Sequence, residues 1–241
     1  MSLLGWHPSE RVRFAFDYPR YHRIWRRNRG FTMLSRRAYV GNLHLAEAAL
    51  ENPTLAGGAV LECGTWKGGM SAGLLAIARR QPSFHFFDSF EGLPQAEPID
   101  GRRALDWQQA THEPEYYDNN RADRSAFEAL VRSAAKPSQR VHVHKGWFGE
   151  TLKDFKAENG IALLRLDGDW YQSTLDCLEA LWEQVLPGGL IIVDDYLAWD
   201  GCTRAVHDFL SARKATEGIR QSRFGGVFHI VRQPPEPFAG L

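Results

Sequence analysis

Cysteine is scarce in this 241-residue chain: Cys63, Cys177 and Cys202 are an odd number without CxxC spacing. That excludes a disulfide framework and a cysteine zinc site and points to a reducing compartment, so a cytoplasmic location is expected. Charge of either sign is not in excess, since Lys plus Arg and Asp plus Glu stand at 29 each. No global field draws such a chain to nucleic acid or an anionic membrane, and neither is expected as a partner. No apolar run approaches the ~20 residues that span a bilayer. The opening MSLLGWHPSER turns polar too soon for a signal peptide. A GxGxxG fingerprint is also missing, because Gly64 and Gly68 stand four apart, which argues against a nicotinamide dinucleotide. Internal repeats are absent.

What remains, 44% hydrophobic and 24% charged, suffices for one sizeable core. The expectation is a single α/β domain over residues 58–241 with an N-terminal helical arm over 1–57. Two stretches organise it: LLRLDGDWYQS at 163–173 and IIVDDYLAWD at 191–200. Each is an apolar run that stops at aspartates, as a buried parallel strand does when it delivers acids to its C-terminal edge. Between them TLDCLEALWEQVL carries Leu175, Leu178, Leu181, Trp182 and Val185 at helical spacing, and Pro187, Gly188 and Gly189 break it. Strand, helix, turn and strand make a right-handed crossover with parallel strands. Asp167, Asp194 and Asp195 then converge where open α/β sheets bind their ligands, and they would repel one another unless a cation joined them. Asp169 reads either as the cap of the helix starting at Trp170 or as part of that group.

Upstream, residues 1–37 hold nine arginines against Glu10 and Asp17. Tyr21, Ile24 and Trp25 form one apolar stripe on a short helix opened by Pro19 and closed near Gly30, which suits packing on the core or a second subunit better than nucleic acid. A homo-oligomer is therefore expected. A second helix is predicted over 35–52. AVLECGTWKGG, from Ala59, is a strand ending at Glu62 and a glycine turn: Gly64 lets backbone approach a ligand, and Glu62 suits a cationic amine better than a pyrophosphate. A second strand ends at Asp88, a usual acceptor for two ribose hydroxyls. Residues 91–121 are a long polar stretch with Trp107, Tyr116 and Tyr117, of the length of a lid or binding loop. A helix is predicted over 123–133, and a third strand over 140–148. On that strand His142 and His144 share a face with no acid to make them a metal pair. A helix starting at Asp200 carries His207, read as packed or at the surface. A late strand over 225–233 and an irregular proline-rich tail close the chain.

The motifs LECGTWKGG (61–69), FDSFEGLP (87–94), KGWF (145–148), LRLDGDWYQST (164–174) and PGGLIIVDDY (187–196), with FTM at 31–33, resemble those of class I S-adenosylmethionine-dependent methyltransferases, and more narrowly the macrocin O-methyltransferase (TylF/MycF) family. The resemblance covers about 31–210. It implies a doubly wound, mostly parallel, Rossmann-like sheet with N-terminal helices. It also implies Mg²⁺ on Asp167, Asp194 and Asp195, with Asp167 as base. Thr32, Glu62, Asp88 and Ser89 would contact S-adenosylmethionine, with Gly64 and Trp147 counted in the same site. The implied acceptor is a small molecule, a hydroxyl of a sugar or sugar-bearing natural product. Rival readings are a catechol or phenolic O-methyltransferase and a cofactor-binding protein without turnover. The chain departs from the family pattern over 96–120 and at Phe228–Arg232.

Overall fold

The computed structural model describes residues 8–81 and 83–234. A seven-stranded sheet runs in the order β3-β2-β1-β4-β5-β7-β6. Its strands are β1 (Ala59–Cys63), β2 (Ser83–Asp88), β3 (Arg140–Lys145), β4 (Ile161–Leu166), β5 (Val185–Val193), β6 (Arg220–Gln221) and β7 (Phe228–Val231). The pairs from β3 to β5 are parallel, while β7 runs antiparallel to β5 and β6. β1 and β4 are buried at every position because helices cover both faces, which explains why they are apolar apart from Glu62 and Arg165. The order reverses between β1 and β4, so their C-terminal ends open the crevice that such sheets offer to ligands. Glu62 pairs with Arg165 in that register, and Leu166 with Val193, so Asp167 and Asp194 leave adjacent strands at the same level.

The helices longer than one turn are α1 (Pro8–Asn28), α2 (Arg36–Leu50), α3 (Gly69–Ile77), α4 (Arg102–Gln109), α5 (Arg124–Ala134), α6 (Tyr171–Leu181) and α7 (Asp200–Ala212). Pro19 does not open a helix: α1 runs through it. Proline removes one donor from the ladder, yet tertiary contacts on both sides of it hold the helix together. Phe14 packs on Phe224 upstream, and downstream Tyr21 is buried with its hydroxyl donating to Glu47 Oε2 of α2 at 2.6 Å. Helix α2 starts as expected, with Ser35 Oγ accepting from the Ala38 N–H at 3.2 Å.

Other boundaries moved for identifiable reasons. Pro187–Gly189 lies inside β5, not ahead of it: the β4 pairing jumps from Val185 to Leu190, and Gly188 takes φ +82 there while its N–H reaches Arg232 O. β3 ends at Lys145, since Gly146 leaves the strand with φ +143. The tail expected to be irregular lies largely outside the described residues, as does the beginning of the opening segment. Residues 91–121 are not structureless. They contain α4 and single 3₁₀ turns at Pro98–Asp100 and Pro114–Tyr116. They also bury Ala96 and Ala104 against Trp170, flanked by Leu93, Leu105, Trp107 and Trp199.

Below β2 and β3, the His85 ring lies 2.9 Å from Ser83 Oγ and 3.1 Å from a His144 nitrogen. Burial, then His142, His144 and Arg140, push His85 from 6.5 down to about 3. The unfolded chain binds this proton near 6.5 and the folded one does not, so stability is full above 6.5 and falls as pH drops. By about pH 4.5 the loss is expected to reach ~1–2 kcal/mol, allowing for the solvated part of the ring. Urea midpoints of wild type and His85→Phe between neutral and acid pH check this, and parallel acid slopes would absolve His85.

Candidate active site

Arg165 is the hub of the crevice. It sits in β4 among aliphatic residues and is 1% exposed. Its Nη1 donates to Glu62 Oε1 at 2.9 Å and to Asp167 Oδ2 at 2.6 Å. Its Nη2 lies 2.7 Å from Asp194 Oδ1, a close ion pair in which no N–H is aligned on the oxygen. One guanidinium thus ties carboxylates from β1 and from the ends of β4 and β5, and these hold its own pKa well above the ordinary value despite burial. The other Glu62 oxygen accepts the Ser71 hydroxyl. Burial pushes Glu62 up to about 7, opposed by Arg165 and Ser71. Asp194 rises to about 6, again from burial against the pull of Arg165.

Asp167, Asp194 and Asp195 do converge, each offering an oxygen within 4.8 Å of the others'. Among the described residues no arginine pairs with Asp195. Asp195 accepts the Asp169 N–H at 3.1 Å, and burial together with Asp169, Asp167 and Asp194 drives its carboxyl well above the usual range. Asp169 does not cap α6. With φ +58 its side chain turns away and accepts the Trp199 indole N–H at 2.8 Å. The α6 end is met from the 91–121 stretch instead, where Asp100 Oδ1 accepts the Tyr171 N–H at 2.7 Å. Burial and the neighbouring Asp167 also hold Asp169 well above its ordinary pKa.

Thr32, Glu62, Gly64, Asp88, Ser89 and Trp147 line the same cleft, of about 280 Å³, as the three aspartates. Several have protein partners. Asp88 Oδ2 accepts the N–H groups of Thr65 and Trp66 at 2.7 and 2.9 Å, and Oδ1 that of Phe90 at 2.7 Å, so it clamps the glycine turn. Gly64, at φ +85, has no room for a Cβ because the Asp167 carbonyl packs there. Ser89 Oγ donates to Gly92 O at 2.8 Å, and Thr32 Oγ1 accepts the Leu34 N–H at 3.2 Å. Trp147 stands half-exposed at the mouth. His142 and His144 are not lining residues, nor is His207, which meets the Tyr196 hydroxyl at 2.9 Å. Arg165 and Glu115 were not singled out from the sequence. The signal for Arg165 is a lone arginine inside a run that otherwise reads as fully buried strand.

This geometry accompanies a match to the macrocin O-methyltransferase (TylF) family over residues 10–230. The chain belongs to that family. A Streptomyces olivaceus relative, 8-demethyl-8-(2,3-dimethoxy-α-L-rhamnosyl)-tetracenomycin-C 4′-O-methyltransferase, is 34% identical over 181 residues, 71% of this chain and 65% of the relative's length. Among solved structures, the O-methyltransferase NovP aligns with TM-score 0.66 at 24% identity, covering 81% of each chain. The calicheamicin methyltransferase CalS11, also described as a TDP-rhamnose 3′-O-methyltransferase, aligns with TM-score 0.60 at 21% identity, covering 81% of this chain and 80% of its own. These two likenesses bear on the fold, which is the Rossmann-like methyltransferase fold. Among the described residues no helix is long and apolar enough to cross a membrane.

Proposed function

We propose that this family member is a Mg²⁺-dependent O-methyltransferase that moves the methyl group of S-adenosylmethionine to a hydroxyl of a sugar or sugar-bearing natural product, as a cytoplasmic homo-oligomer. The observation that carries the reading is the Asp167, Asp194 and Asp195 group beside the turn clamped by Asp88. The donor set suits a hard divalent ion: carboxylate oxygens converge, and Arg165 engages one oxygen each of Asp167 and Asp194 while leaving the other. Burial, then the neighbouring Asp169, Asp167 and Asp194, raise the Asp195 carboxyl, and a cation would relieve the part that comes from those neighbours. When bound there, Mg²⁺ would polarise the acceptor hydroxyl and lower its pKa.

The chain's own residues do the rest. Asp88 offers its remaining lone pairs to the ribose while holding the turn beneath the cofactor. Glu62, fixed by Arg165 and Ser71, supplies negative charge toward the cofactor amine. Asp167 takes the acceptor proton as the new O–CH₃ bond forms and the S–CH₃ bond breaks, leaving S-adenosylhomocysteine. Asp169 lines the same cleft with a raised pKa, which suits a base, and is the second candidate for that proton. From the 91–121 stretch Leu93, Pro94 and Trp107 line the same cleft, where they would help to exclude water from the sulfonium.

Transfer of labelled methyl from S-adenosylmethionine to paired glycoside and catechol acceptors tests the reading. Activity on the glycoside, abolished by chelator and restored by Mg²⁺ but poorly by Ca²⁺, is expected, since the larger ion accepts looser geometry. Turnover that survives exhaustive chelation would remove the metal from the account.

A further inference from the structure

We propose a second ligand site, for a phosphate or phosphomonoester dianion, in the hollow at the N-terminal edge of β1, β2 and β3, the end of the sheet away from the cleft. The inference goes beyond the methyltransferase reading and does not depend on it.

Strand register assembles the floor of this hollow. Ser83 pairs with Arg140 and His85 with His142, so the four side chains leave one face of the sheet together, while Asp88 and Lys145 end the same strands at the opposite edge. The stretch that leads into β4 makes the wall. Gln184 pins it: Oε1 accepts the Ala157 N–H at 2.9 Å and Nε2 donates to Phe155 O at 3.1 Å, and Phe155 meets the His85 ring edge-on at 4.9 Å. Lys156, Glu158 and Asn159 are thereby carried to the hollow, which measures about 380 Å³. That is room enough for a small-molecule ligand.

The donors here are uncommitted. Among the described residues no hydrogen bond or ion pair engages the side chains of His142, Lys156 or Asn159. Arg140 Nη2 lies 4.0 Å from Glu158 Oε2, and both side chains are exposed, so the pair holds the guanidinium weakly. His142 stacks on His85 with ring centres 4.7 Å apart and keeps a ring N–H to give in either neutral tautomer. His85 has none to spare, since Ser83 and His144 occupy its two nitrogens.

The local field is positive. After burial, the groups that hold the His85 pKa down are His142, His144 and Arg140, and no carboxylate opposes them. An oxyanion between Arg140 and Lys156 would relieve that repulsion. A guanidinium, an ammonium, an imidazole and an amide approach from the two strands and the wall, which suits a tetrahedral dianion with oxygens on every side. A carboxylate, planar and singly charged, would satisfy fewer of the four.

The full chain is titrated at neutral pH and low salt with inorganic phosphate and, separately, with glycerol 3-phosphate, by calorimetry and by imidazole resonances. One saturable site with a dissociation constant below about 2 mM is expected for at least one of the two. The resonances of His142 and His85 should move while that of His207 on α7, outside the hollow, stays still. Tighter binding of the free ion would name phosphate as the ligand, and tighter binding of the ester a phosphomonoester. Arg140→Gln and Lys156→Gln should each weaken binding at least about fivefold, and Lys214→Gln, an exposed cation elsewhere in the chain, less than about twofold. Saturation by neither ligand up to about 20 mM, or an equal loss in all three variants, overturns the proposal. Displacement of bound S-adenosylhomocysteine by phosphate would also overturn it, because the anion would then sit in the cleft.

Discussion

Arg165→Met is expected to lose about 3–5 kcal/mol of folding stability, the usual cost of removing one partner from a buried ion cluster. Arg165 is fully buried and neutralises Glu62, Asp167 and Asp194 together. Methionine fills similar space but leaves three carboxylates facing one another in the interior. They can relax only by taking up protons, which raises their folded pKa values above the unfolded ones. Stability from such groups is present below the unfolded pKa and is lost as pH rises through the folded one, so the deficit of the variant should shrink on acidification. Urea unfolding at neutral and mildly acid pH measures both effects. A variant as stable as wild type at neutral pH would mean that the aspartates do not need the arginine.

Asp167→Asn should lower turnover by about 10²–10⁴-fold while leaving affinity for S-adenosylhomocysteine within about threefold. Asparagine keeps the shape and can still accept from Arg165 Nη1, so the hub survives. What it loses is the ability to take a proton and a full charge beside Asp194 and Asp195. Steady-state rates with calorimetry on the same preparation separate the two. Loss of cofactor affinity in step with rate would move Asp167 from the chemistry to cofactor binding, and undiminished rate would pass the proton to Asp169.

The sheet was legible because parallel strands buried on both faces leave mostly apolar runs, and because those runs end in acids at the edge where open α/β sheets bind ligands. Asp167, Asp194 and Asp195 could therefore be brought together from spacing alone. What escaped depends on contacts distant in sequence. Pro19 is a helix opener by local rules, but Phe14 and Tyr21 pack on either side of it and α1 continues. Gly188 and Gly189 form a bulge within β5 because Leu190 and not Pro187 takes up the pairing with β4. The cap of α6 comes from Asp100, 71 positions before Tyr171, which frees Asp169 for Trp199. The convergence of acids was read as a demand for a cation; part of that demand is met by Arg165, from within the strand itself.

Divalent ion binding is the central claim, and Mn²⁺, which shares the octahedral oxygen preference of Mg²⁺, reports it directly. With S-adenosylhomocysteine bound, titration followed by paramagnetic resonance should show one saturable site, weakened at least about tenfold in Asp195→Asn with cofactor affinity retained. Wild-type protein that takes up no ion, or a variant that binds it as tightly as wild type, would contradict the account.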